Sequence, residues 1–133
     1  MPNGRPKSYN KGIANYICKE LIKGRSLTSI CSERNVPSMP TVFSWLNSSK
    51  PYYIDEFFKS YSMARVMQAE VLAEQIIDIA DDGRRDINLT RNRNGKEVMK
   101  VNYTHIRRCK LRIDARKCIA SHLLPRKYGK KVP

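Results

Sequence analysis

The feature that most constrains this chain is the segment from Tyr52 to Asp82, which contains neither glycine nor proline. Pro51 precedes it, at a position where a helix readily begins. Apolar side chains recur along the segment every three or four residues, which is the period of an α-helix. A helix of this size is about 45 Å long. A head of fifty residues cannot cover it, so the segment needs further partners.

Apolar residues also lie away from the main stripe of this predicted helix, at Met63, Val66, Met67 and Ile77. A rod that is apolar on two sides must be covered on two sides, so we predict self-association. The alternative is a helical hairpin that is closed within one chain. The residues of the main stripe that we assign to self-association are Phe57, Phe58, Tyr61, Gln68, Leu72, Ile76 and Ile79.

The net charge of +14 is unevenly distributed. Residues 1–50 and 83–133 are strongly basic, whereas residues 51–82 are acidic on balance. A positive charge this large favours a polyanionic partner. The three blocks indicate two DNA-facing regions that flank a connecting element. No apolar run of about 18 residues exists, so we expect no membrane partner.

The first fifty residues have the pattern of a helix-turn-helix. A helix is predicted from Tyr9 to Lys23 and ends at Gly24, and Ser26 begins a short second helix. Ser38 caps a third helix, which buries Trp45 on its apolar side. Three helices of this kind also occur as a plain packing unit, but the basic flanks favour DNA binding.

The helix-turn-helix geometry assigns different roles to different residues. The second helix of such a motif lies in the major groove with its N-terminal residues at base edges. Serine and threonine read bases poorly, so we expect modest specificity, or specificity from DNA shape and several bound copies. The predicted base contacts are Ser38, Met39, Thr41 and Ser44, and the predicted phosphate contacts are Arg5, Lys7, Lys23, Arg25, Thr28, Arg34 and Lys50.

A β-hairpin is predicted between residues 86 and 103, after Gly83 ends the long helix. Asn94-Gly95 is a strong turn signal. A three-residue loop with Gly95 in the left-handed region pairs Arg91 with Glu97, Leu89 with Met99 and Ile87 with Val101. A two-residue turn would place Leu89 opposite Lys100, so we favour the three-residue loop. The hairpin either lies against the helices or projects as a basic finger.

A second long helix is predicted from Thr104 to Leu124, before Pro125, and residues 125–133 form a basic tail. This helix can pack antiparallel on the first long helix, with Arg107 and Arg108 near the acidic residues at the end of that helix. The residues of this helix that we assign to self-association are Ile106, Ile113 and Ala120.

The sequence offers no convincing catalytic or metal site. The carboxylates near residue 80 (Glu74, Asp78, Asp81 and Asp82) could hold Mg²⁺ in a nuclease. A solvated or ion-paired face is the favoured interpretation, because no further acidic residue or histidine completes a site. The four cysteines are far apart, as is typical of reduced core thiols rather than a zinc site. We therefore predict no enzyme activity, no catalytic residue, no metal and no cofactor.

Several segments, in order along the chain, resemble the terminase small subunits of tailed bacteriophages. The head matches at Ser26–Cys31, Val36–Ser38 and Thr41–Leu46, and the end of the long helix matches at Ile76–Gly83. The last helix and its exit match at Leu111–Lys117 and Pro125–Gly129. Only the hairpin lies outside the resemblance. A basic residue is common in the family where Ser44 stands, which is a departure from the family pattern.

The resemblance implies a DNA-packaging protein that acts in the host cell cytoplasm. It implies a ring of about eight to ten subunits, with helix pairs in the hub and DNA-binding heads outside. It also implies that the protein recruits or regulates a large terminase subunit, which carries the ATPase and nuclease. The alternative is a helix-turn-helix transcription regulator or a transposase DNA-binding subunit. A two-sided long helix suits a ring better than a simple dimer, because a ring needs two different faces on each subunit.

The predicted fold is therefore mainly α. It consists of a helix-turn-helix head (residues 1–50), an oligomerisation domain (51–124) and the basic C-terminal tail. The oligomerisation domain is a long antiparallel helical hairpin with one small β-hairpin between its two helices. The predicted partner is double-stranded DNA, with the predicted contacts in the head.

Overall fold

A computed structural model describes residues 9–129. The chain divides into two compact units, Met1–Val71 and Leu72–Pro133, and each is described by itself. The elements are α1 (Lys11–Ile22), α2 (Leu27–Cys31), α3 (Met39–Leu46), α4 (Asp55–Asp81), β1 (Ile87–Arg91), β2 (Glu97–Val101), α5 (Tyr103–Leu123) and α6 (Pro125–Tyr128). The predicted mainly helical fold, with a small two-stranded antiparallel sheet between long helices, is confirmed.

Local capping determines where α1 begins and ends. The Asn10 side chain accepts a hydrogen bond of 2.8 Å from the backbone N–H of Ile13, so the helix begins at Lys11 rather than at Tyr9. Gly24 has a φ of +97°, in the left-handed region where glycine is favoured. It therefore stops the helix as the sequence predicted.

The two shorter helices of the head are capped differently. Ser26 accepts a hydrogen bond from the backbone N–H of Ser29 and caps α2 as predicted. Ser38 occupies the N-cap position of α3, but its hydroxyl accepts no backbone N–H. Its oxygen lies 3.1 Å from the hydroxyl oxygen of Thr41 instead, so the predicted capping hydrogen bond of Ser38 is wrong.

The head core is centred on an edge-to-face cluster of aromatic rings. The ring centroids of Trp45 and Phe57 are 5.5 Å apart at 86°, and those of Tyr9 and Trp45 are 5.0 Å apart at 85°. Such pairs add to the stabilisation that comes from burying their area. The other fully buried large side chains of the core are Ile17, Leu21, Ile30 and Val42.

Phe57 lies on the first turn of α4, so the long helix contributes to the head core. The sequence predicts that Phe57 takes part in self-association, but its side chain is 1% exposed inside the head. Its neighbour Phe58 is 43% exposed and contacts Tyr53. The physical reason is that a helix entering a small core presents one residue of each turn inward, and at this turn it is Phe57.

The β-hairpin of the second unit has the predicted register. Ile87 pairs with Val101, Leu89 with Met99, and Arg91 with Glu97. Gly95 has a φ of +76°. The side chain of Asn92 accepts the backbone N–H groups of Asn94 (2.9 Å) and Lys96 (3.0 Å), which closes the loop.

Helix α5 runs antiparallel to the C-terminal part of α4. The Arg116 guanidinium donates to the side-chain oxygen of Gln75 at 2.9 Å. Farther along, Ile79 of α4 and Cys109 of α5 line one groove. Asn102 caps α5 by accepting the backbone N–H of His105. After α5 the chain forms one more helical turn, α6, within the segment predicted as a tail.

The acidic end of α4 does not meet the predicted arginines. The carboxylate of Asp82 pairs with Arg84, two residues away, at 2.8 Å. His105 and Arg112, rather than Arg107 and Arg108, line a groove with Asp78 and Asp82. The prediction for Arg107 and Arg108 was wrong because the rotation of α5 about its axis cannot be read from residue spacing alone.

Within residues 9–129, no helix combines the length and the apolar character that crossing a bilayer requires.

We expect Phe57→Ala to lower the free energy of unfolding of the head by about 3 to 5 kcal/mol, because it opens a cavity beside Trp45. Phe58→Ala is the matched control and should change it by no more than about 0.5 kcal/mol. Urea denaturation followed by Trp45 fluorescence measures both. Equal losses in the two variants would contradict the assignment of Phe57 to the core.

Candidate nucleic-acid and subunit interfaces

The candidate DNA-reading surface is the outer face of α3. Burial of Val42 and Trp45 at helical spacing turns Pro40 and Phe43 outward. Phe43 is 48% exposed. Phe43 is not among the predicted DNA contacts, although the spacing of its apolar neighbours Val42 and Trp45 indicates its outward position.

The predicted base-contacting side chains of α3 already make hydrogen bonds within the head. The Ser44 hydroxyl donates to the backbone oxygen of Thr41 at 2.6 Å. The Thr28 hydroxyl donates to the Met39 sulfur at 3.3 Å, and Met39 also packs against the core. The outer face of α3 is consequently short of free hydrogen-bonding groups, and such groups are what direct base reading requires.

Arg25 lies at the centre of an ion-paired network. One guanidinium nitrogen contacts Glu20 at 2.9 Å and Glu33 at 2.6 Å, and the other donates to the side chain and backbone oxygens of Ser29. The backbone oxygen of Arg25 accepts a hydrogen bond from Gln68 of α4. Arg25 thus connects α1, α2 and α4, which is a structural role.

The carboxylates of this network are stabilised in their charged forms. Hydrogen bonds from Lys23 and then from Arg25 hold the pKa of Glu20 below its ordinary value. The Tyr16 hydroxyl donates to Glu33 at 2.7 Å, and this bond, followed by the one from Arg25, lowers the pKa of Glu33. Lys23 is therefore also engaged, through its contact of 2.7 Å with Glu20.

Other cations of the head remain available to a ligand. Arg34, in the connection between α2 and α3, is exposed, as is Lys50, in the turn after α3. Lys19 on α1 is exposed as well and was not among the predicted contacts. Within the described part of the head, none of the three is in an ion pair. The predicted contacts Arg5 and Lys7 lie outside the described residues.

Some of the α4 residues that the sequence assigns to self-association contact the head instead. Tyr61 and Gln68 face the head, where Arg65 donates hydrogen bonds to both. Uncovered apolar side chains lie beside them: within the first unit these are Phe58, Met63, Val66 and Met67, which are 38% to 60% exposed.

The second unit has a small core and a large uncovered apolar surface. Leu72 and Ala120 are the buried residues among those of this unit that the structure describes, and Ile76, Ile79 and Ile113 are half-buried. Large apolar side chains at least 40% exposed on its helices are Ile77, Tyr103, Ile106, Leu111 and Ile119. An apolar surface of this kind on a small unit marks an interaction site.

Asp114 and Arg116, which belong to a segment of the resemblance, have separate structural partners. Asp114 pairs with Lys110 at 3.2 Å, and Arg116 binds Gln75. Across residues 9–129, no three His, Cys, Asp or Glu side chains are grouped so that they could hold a metal ion.

Comparison with known proteins identifies the family. The family model for the terminase small subunit-like proteins of bacteriophage Sf6 matches residues 9–133. This chain belongs to that family. Its members are terminase small subunits, and the family and fold together support a role in phage DNA packaging. Such subunits are generally the non-catalytic, DNA-binding partners.

Solved structures of a terminase small subunit have the same fold. Crystal structures of three single-substitution variants of the terminase small subunit gp1 of the bacterial virus Sf6 each match with a TM-score of 0.68 and 30% sequence identity. Each match covers 94% of this chain and 80% of the other. Among curated proteins, none matches this sequence.

The network around Arg25 predicts acid sensitivity of the head of this terminase small subunit. Because the pKa values of Glu20 and Glu33 are lowered on folding, the stability they contribute is present above pH 4.5. It is lost as the pH falls from there through their folded-state values. The double variant Glu20→Gln with Glu33→Gln should be less stable at pH 7 and should lose less stability between pH 5 and pH 3.

Thermal unfolding over this pH range, followed by Trp45 fluorescence, measures the difference. Glu97→Gln, on the hairpin, is the control and should keep the wild-type slope. An unchanged slope in the double variant would show that these carboxylates do not govern the acid sensitivity of the head.

Proposed function

We propose that this terminase small subunit assembles into a ring of about eight to ten copies, binds double-stranded phage DNA through its heads, and recruits or regulates the large terminase subunit with its ATPase and nuclease. It does so in the cytoplasm of the infected host. The observation that carries the proposal is the uncovered apolar surface of α4 and α5 in a chain of this family.

The apolar surface supports assembly for an energetic reason. Leu111, Ile119 and Ile77 are 43% to 58% exposed, and water contact with such side chains is unfavourable. The second unit buries few side chains of its own, so contacts with other copies would stabilise it. These side chains lie on two different helices, which is compatible with the two different faces that a closed ring of head-to-tail contacts requires.

The charges of the head support DNA binding that is directed mainly at phosphates. Arg34, Lys50 and Lys19 are exposed cations, whereas the hydroxyl groups of α3 are engaged within the head. Phosphate contacts supply affinity without sequence information. In a ring, several heads bind one DNA molecule, so weak single contacts combine into strong binding.

The competing function, a transcription regulator or transposase DNA-binding subunit, requires no more than a dimer. We expect light scattering of nuclease-treated protein to give a discrete mass of about 120 to 150 kDa, since one chain has a mass of 15.4 kDa. The mass should persist across a tenfold dilution. A monomer or dimer would exclude the ring and favour the regulator.

DNA binding is tested separately with the head cations. Arg34→Ala with Lys50→Ala should weaken DNA binding for all sequences and should reduce the steepness of its salt dependence by about 2 for each bound head. Lys59→Ala is the matched control, because Lys59 is an exposed cation of α4 paired with Asp55. Fluorescence anisotropy between 50 and 200 mM salt measures both. If Lys59→Ala weakened DNA binding as much as the double variant, the overall charge of the protein, rather than the head surface, would determine the affinity.

A further inference from the structure

Among the residues that the structure describes, none covers one apolar face of the β-hairpin. Leu89 and Met99 are 69% and 71% exposed, and Ile87 and Val101 are 48% and 43% exposed. The register places these four side chains on one face, because Leu89 pairs with Met99 and Ile87 with Val101. An isolated two-stranded hairpin is only marginally stable, so an apolar face of this kind calls for a protein surface to cover it.

The tip of the same hairpin is basic. Arg93 and Lys96 lie in the loop, are exposed, and make no ion pair within the described part of the chain. Glu97 is the single acidic residue between Ile87 and Val101. A matching surface must therefore have an exposed apolar centre and acidic residues around it.

The outer face of α5 fails this requirement. Leu111 is exposed there, but the helix carries six lysines and arginines against one acidic residue, Asp114. Like charges brought together at an interface oppose binding. A second copy of α5 would therefore repel the tip of the hairpin.

The C-terminal part of α4 meets the requirement. Ile77 is 54% exposed, and Glu74, Asp78 and Asp81 lie on the same side of the helix, at spacings of three and four residues. Glu74 and Asp81 are exposed and make no ion pair with any described residue. We call this surface, formed by Glu74, Ile77, Asp78 and Asp81, the acidic stripe.

We propose that the apolar face of the hairpin of one chain packs on the acidic stripe of a second copy, with Arg93 and Lys96 beside Glu74 and Asp81. This inference rests on the proposed assembly into a ring and names one contact within it. The contact joins two different surfaces of the same chain, so it propagates head to tail and closes when the rotation between copies allows. DNA is a poorer partner for the apolar face of the hairpin, because contacts with phosphates would leave Leu89 and Met99 exposed to water.

Charge reversal on each side tests the contact. The hairpin variant combines Arg93→Glu with Lys96→Glu, and the stripe variant combines Glu74→Lys with Asp81→Lys. Each alone should raise the concentration at which the assembly half-dissociates by about tenfold or more, because like charges then face each other. A chain with all four substitutions should assemble as the wild type does, since the charges are again opposite.

An equimolar mixture of the hairpin and stripe variants distinguishes contacts between chains from contacts within one. In the mixture each hairpin meets a complementary stripe on the other variant, so the assembled mass should recover. Lys100→Glu is the matched control, because Lys100 lies on the opposite, polar face of the hairpin. Its assembly should remain that of the wild type. Circular dichroism checks that every variant keeps its helices, and light scattering over a dilution series gives the masses.

The outcomes separate the inference from the proposed function. A wild-type protein that does not assemble beyond a dimer overturns both. A wild-type assembly that both single-sided reversals leave unchanged overturns the hairpin contact alone. The hairpin contact alone is also overturned if the four-substitution chain or the mixture does not regain the assembled mass. It is overturned as well if the hairpin variant binds DNA more weakly while its assembly is intact.

Discussion

The packing of Phe57 against Trp45 is the interaction on which the head depends. It places the first turn of α4 inside the core formed by α1, α2 and α3. The backbone N–H of Ile54 also donates to the backbone oxygen of Trp45 at 2.8 Å, which fixes the entry of the chain into α4. The head is therefore a four-helix structure, and one end of the helix that extends from it is held in the core of the head.

A second constraint is the distribution of charge. Arg25 and Lys23 look like DNA contacts when cations are counted, yet both neutralise Glu20, whose side chain is 8% exposed. A buried carboxylate needs such partners because desolvation is costly. The cations left for a polyanion are those with no acidic neighbour, and the candidate DNA surface is correspondingly smaller than the net charge suggests.

The second unit differs from the head in how little it buries. Its helices and hairpin leave apolar side chains exposed on several faces, whereas the head encloses a continuous core. A unit that buries so little gains stability from association. The exposed apolar faces of the helices and of the hairpin both reflect how little this unit buries. The proposed ring accounts for both, because other copies cover them.

The sequence by itself determined what depends on neighbouring residues. Gly24 and Ser26 bound their helices as predicted, and the hairpin register followed from Asn94-Gly95 and the alternation of apolar residues. These features follow from backbone conformations and short hydrogen bonds within a few residues. The two long helices were likewise indicated by a local pattern, the recurrence of apolar side chains every three or four residues.

Only the tertiary structure decided which distant residues meet. Phe57, predicted at a subunit interface, lies in the head core. Arg25, predicted to contact DNA, forms ion pairs with Glu20 and Glu33. Residue spacing gives the face of a helix on which a side chain lies. The rotation and partner of that face are decided by packing among all the elements, and for this reason the roles of these side chains could not be read from the sequence.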